Sequence, residues 1–173
     1  MESGSHGTWS FLALVSYPST VSEWTTKYNG ICNSKDDRKE CAESSTCTDD
    51  NIKKAARWAI LKADLMCSTN GLSFFRRIYT EASACLGNLT KVASATTNRN
   101  SCKALYENTI TDSMSLTEKC NLLDQTRTCD RNFIGNMCGD LYRWMVDASW
   151  MARIQVYFNE CHSTLSSSQF AFP

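Results

Sequence analysis

The sequence predicts an all-α protein, a disulfide-stapled bundle of about five to six helices around a long C-terminal helix. Three observations carry this. Pro and Gly, which punctuate turns and strands, number only 2 and 7 in 173 residues. Apolar residues recur at helical spacing over long stretches and rarely alternate. Ten cysteines stand at Cys32, Cys41, Cys47, Cys67, Cys85, Cys102, Cys120, Cys129, Cys138 and Cys161, an even set with no Cys-x-x-Cys pair. That pattern suits disulfides closed in an oxidising compartment better than a zinc site or a redox dithiol.

Residues 1–18 read as a leader or flexible start. The apolar run Trp9–Val15 has Glu2 and no Lys or Arg before it, so the charged n-region of a signal peptide is missing there, and the expectation is that a secretion signal was removed or that a fragment of one survives in 9–15. Residues 19–162 read as one disulfide-rich domain, and 163–173 as a mobile Ser-rich tail in which Phe170 and Phe172 are free to dock.

Within the domain, a first helix is expected over 20–29. Thr20 and Glu23 have capping-box spacing, Val21, Trp24 and Tyr28 share a face, and Asn29-Gly30 supplies a stop. Residues 31–47 read as a loop or a short turn of helix pinned by bridges. A second helix, 49–67, opens on Asp49 and Asp50 and presents Ile52, Ala56, Ala59, Ala63 and Met66. Asn70-Gly71 then breaks the chain. A third helix, 73–87, carries Phe75, Ile78, Tyr79, Ala82 and Cys85 inward, with Phe74 nearer the boundary.

Beyond it, 89–94 reads as weakly helical, 96–101 as a polar loop and 102–110 as a short helix. Ser115 and Glu118 have capping-box spacing for a helix over 116–126, and 127–138 reads as a cysteine-bounded turn with room for one short helix. The last helix, 140–161, is apolar on most sides and belongs at the centre. A faint repeat runs through the chain. Cys32, Cys41, Cys47, a helix bearing Trp58, and Cys67 are echoed by Cys120, Cys129, Cys138, a helix bearing Trp150, and Cys161. Duplication and coincidence both account for it.

Eighteen Lys plus Arg balance eighteen Asp plus Glu. No basic stripe offers a footprint for nucleic acid, and no run approaches the roughly 18 apolar residues of a membrane span. Asn88-Leu89-Thr90 is a glycosylation sequon.

Cys67, Cys85-Leu86, Cys102, Lys119-Cys120-Asn121-Leu122-Leu123, Cys129, Ile134, Cys138-Gly139 and the aromatic helix to Cys161 resemble invertebrate secreted cysteine-rich domains. These are best populated in nematodes and related to the chondroitin proteoglycan core domain. The resemblance covers about the last 100 residues and rests on cysteine spacing. It implies a secreted, disulfide-linked helical domain and supplies no catalytic residue.

Chemistry-bearing motifs are few. His162 is a weak catalytic candidate, near Ser163 and Ser166 but without a nucleophile elbow. No motif calls for a metal or an organic cofactor. Asp140 and Asp147 lie seven residues apart, about 10 Å along one helical face, but Arg143 stands at ion-pairing distance from both. Phe74-Phe75-Arg76-Arg77 mixes aromatic and cation as recognition surfaces do, while Arg77 is also spaced to pair with Glu81.

The aromatic stock is the main lead, with Trp58, Phe75, Tyr79, Trp144, Trp150 and Tyr157 as candidate ligand-binding residues. The functional expectation is a secreted binding module that cages a small apolar ligand or contacts an extracellular protein. A secreted cofactor-independent oxidoreductase, holding its substrate in an apolar pocket for reaction with oxygen as oxygenases and luciferases do, is the alternative. A structural matrix component is a third.

Overall fold

A computed structural model describes residues 21–34, 36, 37, 39, 49–85 and 88–173. These form α1 (Val21–Asn33), α2 (Asp50–Cys67), α3 (Thr69–Glu81), a 3-10 turn (Ser83–Cys85), α4 (Leu89–Glu107), α5 (Leu116–Cys138), α6 (Asp140–Tyr157) and α7 (Asn159–Ser166). Residues 1–20, with His6 and the apolar run, lie outside the described residues, as do Cys41 and Cys47.

Helix α6 is the hub because its sequence is apolar on opposite faces. Leu141, Trp144, Ala148 and Met151 are buried on one side, and Val146, Trp150 and Ile154 on another. It packs chiefly on α5, α2 and α7, while α4 packs on α5.

Among the described residues, four disulfides staple this all-α bundle. Cys32–Cys67 ties α1 to α2, Cys85–Cys138 ties the 3-10 turn to α5, Cys102–Cys129 ties α4 to α5, and Cys120–Cys161 ties α5 to α7. Three of the four therefore converge on α5.

Local chemistry sets the element ends. Asp49 caps α2 by accepting from the N–H groups of Asn51 and Ile52. Ser115 and Glu118 close a reciprocal capping box on α5. Between α5 and α6 the chain turns on a single residue, Gly139, whose φ of +89° other residues rarely adopt.

Several expected boundaries move. Helix α1 runs through Gly30, an exposed position where glycine weakens but does not stop a helix. The break before α3 falls at Ser68 rather than at Asn70-Gly71, and Ser68 Oγ accepts from Gly71 N–H at 3.0 Å. Gly71 matters there for another reason, because a Cβ would collide with the backbone carbonyl of Leu65.

Residues 89–107 form one helix, not two separated by a polar loop, since no Gly or Pro interrupts them and a single buried stripe suffices to dock them. Residues 116–138 are one continuous helix. The expected turn at 127–138 is helical because Arg127, Asp130, Ile134 and Cys138 all face inward. The long last helix breaks at Phe158, giving α6 and α7. Phe75 is inward as expected, but Phe74, expected nearer the boundary, is buried too and more deeply, at 1% against 8% exposed.

The Ser-rich tail is docked. Residues 163–166 complete α7, and the chain beyond Ser166 lies against α3, α5 and α6.

Candidate functional site

Five of the six aromatic candidates fall into two clusters. In the first, Phe75 and Trp144 gather around Phe74, at 5.1 and 6.0 Å between ring centroids, with Tyr142 at 5.6 Å. Phe172 from the tail closes this cluster edge-on to Trp144 at 4.8 Å. Tyr79 is half-buried in α3, and its phenol is held above the usual tyrosine range by burial and then by Glu23 of α1.

In the second cluster Trp58 meets Tyr157 edge-on at 6.3 Å, and the guanidinium of Arg153 lies over both Tyr157 and Trp150, at 6.0 and 5.6 Å. The Lys62 ammonium sits 3.6 Å above the Trp58 ring, and burial lowers its pKa from 10.5 to about 8.

Between these clusters lies a network of buried charge. Asp130 of α5 is fully buried. It accepts from Arg99 of α4 at 2.9 and 3.0 Å and from the Trp150 indole of α6 at 2.8 Å, linking three helices through one carboxylate. Asp147, also fully buried, takes Arg131 at 3.1 Å and lies 3.6 Å from Arg127 Nε.

The other oxygen of Asp147 accepts the backbone N–H of Phe170 at 2.7 Å. Arg127 donates to Asp124 at 2.8 Å and to Ser168 Oγ at 2.6 Å. The tail is thus held by charge-assisted hydrogen bonds as well as by its two phenylalanines. Arg77, expected to pair with Glu81, does so through both carboxylate oxygens at 2.6 and 2.7 Å, and also donates to the Pro173 carbonyl at 2.6 Å.

Asp140 and Asp147 have opposite environments. Asp140 is exposed and pairs with Arg143 at 3.0 Å, while Asp147 belongs to the network. Sequence reasoning missed this network because Arg127 and Asp130 sat in a segment read as a turn. The available signal was spacing: Asp124, Arg127 and Arg131 are three and four apart, as a helix requires.

A cleft opens where α4, α5 and α6 meet. Lys103, Tyr106 and Glu107 of α4, Leu123 and Thr126 of α5, Trp150 and Arg153 of α6, and Phe158 line it. Tyr106 and Phe158 stack edge-to-face at 5.4 Å along one wall. The cleft holds about 20 Å³, room for one water or the head of one side chain. Lys103 pairs with Glu107 at 3.3 Å on the rim. Of the six sequence-derived aromatic candidates, Trp150 lines this cleft and Tyr157 reaches it through Arg153.

His162 is half-buried within α7, and among the described residues no hydrogen bond orients its imidazole. Ser166 donates instead to the Ser163 carbonyl at 2.9 Å. Asn88 is exposed and caps α4, its Oδ1 accepting from Lys91 N–H at 3.1 Å.

Among the described residues no cluster of three or more His, Cys, Asp or Glu is placed to hold a metal ion. Among the same residues, no helix is long and apolar enough to cross a membrane. Compared with protein-family models, curated proteins and solved structures, the chain matches none of them.

Proposed function

We propose that this chain is a secreted binding module that contacts an extracellular protein through the cleft between α4, α5 and α6. The observation that carries this reading is the form of the cleft, an opening of about 20 Å³ walled by Tyr106, Trp150 and Phe158 and edged by Lys103 and Arg153. Caging a drug-sized apolar ligand takes about 300–1,000 Å³. This cleft instead suits one side-chain head group presented by a partner. Aromatic rings beside a cation are the composition enriched in protein interfaces.

Four disulfides favour the oxidising space outside the cytosol. They also support the reading energetically, because a pre-formed surface loses little freedom on binding. A glycan on Asn88 would fit the same compartment.

The test is affinity capture from extracellular fluid with the wild-type chain and with Arg153→Glu, combined with intact mass under native conditions. A specific protein retained by the wild type and lost by the variant is expected, with the purified chain carrying no small molecule. A co-purifying lipid-like mass, with no protein distinguishing the two baits, would overturn the reading in favour of a carrier.

A further inference from the structure

The charges around the cleft do not balance. Its lining carries Lys103, Arg153 and Glu107. Lys103 is matched by Glu107 at 3.3 Å, and Arg99 behind the cleft is matched by Asp130 at 2.9 Å. Arg153 has no such match. Among the described residues no carboxylate lies within ion-pair distance of it and no acceptor takes its N–H groups, so its contacts are the faces of Trp150 and Tyr157.

Burial lowers the pKa of Arg153 below the usual guanidinium range, and nearby Tyr157 and Glu107 only partly oppose this. The guanidinium is thus partly shielded by the rings beside it, still open to the cleft, and without an ion-pair partner of its own. The Trp150 indole N–H is committed to Asp130 at 2.8 Å, and the Thr126 hydroxyl to the Leu122 carbonyl at 3.0 Å.

We infer that the cleft is a carboxylate site that takes one Asp or Glu side chain of the protein partner, with Arg153 as its principal donor and Lys103 as its second. The inference rests on the binding-module reading and names the group that the module recognises. Three features select a carboxylate. The volume of about 20 Å³ admits a head group of that size. The planar guanidinium offers a two-pronged fork that matches a planar acid. One added negative charge brings the lining of two cations and one anion to neutrality. The Tyr106 and Phe158 rings form an apolar wall beside the acid, which strengthens each charged hydrogen bond.

Phenylacetate serves as the probe, followed by NMR at the Arg153 side-chain Nε–H and the Trp150 indole N–H. Phenylacetamide is its uncharged counterpart and inorganic phosphate the tetrahedral control. The expected result is a saturable shift with phenylacetate at millimolar concentration and none with phenylacetamide. Arg153→Gln weakens binding by about ten- to a hundredfold, as loss of charge-assisted hydrogen bonds predicts. Lys103→Ala, a change on the rim away from the core, weakens it about threefold.

Absence of a saturable Arg153 shift, an equal response to phenylacetamide, or an unchanged affinity in Arg153→Gln overturns the carboxylate site. An equal response to phosphate also overturns it, because the site would then be a general anion trap. These failures are distinguishable from failure of the binding module itself. Capture of a protein that Arg153→Glu still loses would leave the module standing while the carboxylate assignment fell.

Discussion

Helices α2 and α6 are both 18 residues long, each carries a tryptophan near its middle, and each leads to a bridged cysteine. They nevertheless do different work. In α2 the buried residues are Trp58 and Lys62, whereas in α6 they are ten, including the charged Asp147. The bridges correspond as well: Cys32–Cys67 and Cys120–Cys161 are the first and last cysteines of the two halves of the repeat seen in the sequence, with separations of 35 and 41 residues. Corresponding outer bridges therefore span two regions of unequal depth. Burial, not the crosslink, decides which region is the frame and which the outwork.

The largest effect should come from the charge at the centre of the frame. Asp147→Ala leaves Arg127 and Arg131 without their shared carboxylate and frees the Phe170 N–H. Removing one partner of a buried ion pair costs about 3–5 kcal/mol. Urea unfolding should show that loss, together with release of the tail seen as new protease sensitivity beyond Ser168. A loss below 1 kcal/mol would mean that the network contributes little to the frame.

The cysteine pairs sharpen the contrast directly. Loop-closure entropy assigns about 4 kcal/mol to either outer bridge. Replacing Cys120 and Cys161 together should lower global stability by about that amount. Replacing Cys32 and Cys67 should instead reduce hydrogen-exchange protection within α1 and α2 and leave α5 and α6 protected, because few buried residues tie α2 into the core. Equal global losses from both double variants would break the comparison.

Lys62 supplies a smaller, pH-dependent test. Its ammonium is buried in the native state, where its pKa is about 8 against 10.5 when unperturbed. Between those values the unfolded chain holds a proton that the native chain has released, so stability rises as pH is raised from 8 toward 10.5. The gain between pH 7.5 and 9.5 should be about 1 kcal/mol after allowance for screening by nearby solvent, and Lys62→Met should abolish that slope.

The smallest effect concerns Tyr142. Its hydroxyl is buried without a hydrogen-bond partner among the described residues, and burial pushes the phenol far above the usual tyrosine range. Tyr142→Phe should leave stability unchanged or raise it by about 1 kcal/mol. A clear loss would reveal a partner for the hydroxyl.

The contrast between the regions also explains what could be read before the structure. Elements with a wide apolar stripe and a recognisable cap were legible: α2 behind Asp49, α5 behind Ser115, and the central position of α6. So was the Arg77–Glu81 pair. Helix α4 and the second half of α5 were not, because their inward positions hold Cys102, Arg127, Asp130 and Cys138 where pattern reading looks for Leu or Ile. Periodicity detects apolar burial and is silent on charge buried in pairs.

The docking of the tail was hidden for the same reason. Ser168 gives no hint of the guanidinium that receives it. Of the cleft, Trp150 and Tyr157 were identifiable as aromatics on a central helix. Arg153 was not, since its significance lies in a missing partner, which spacing alone does not reveal.

Peptide mapping of the unreduced protein by mass spectrometry tests the central claim most directly, that two corresponding outer bridges and two inner ones tie the helices into one body. The account predicts linked peptides joining Cys32 to Cys67, Cys85 to Cys138, Cys102 to Cys129 and Cys120 to Cys161. Free thiols at these positions, or Cys67 or Cys161 joined to any other cysteine, would contradict it.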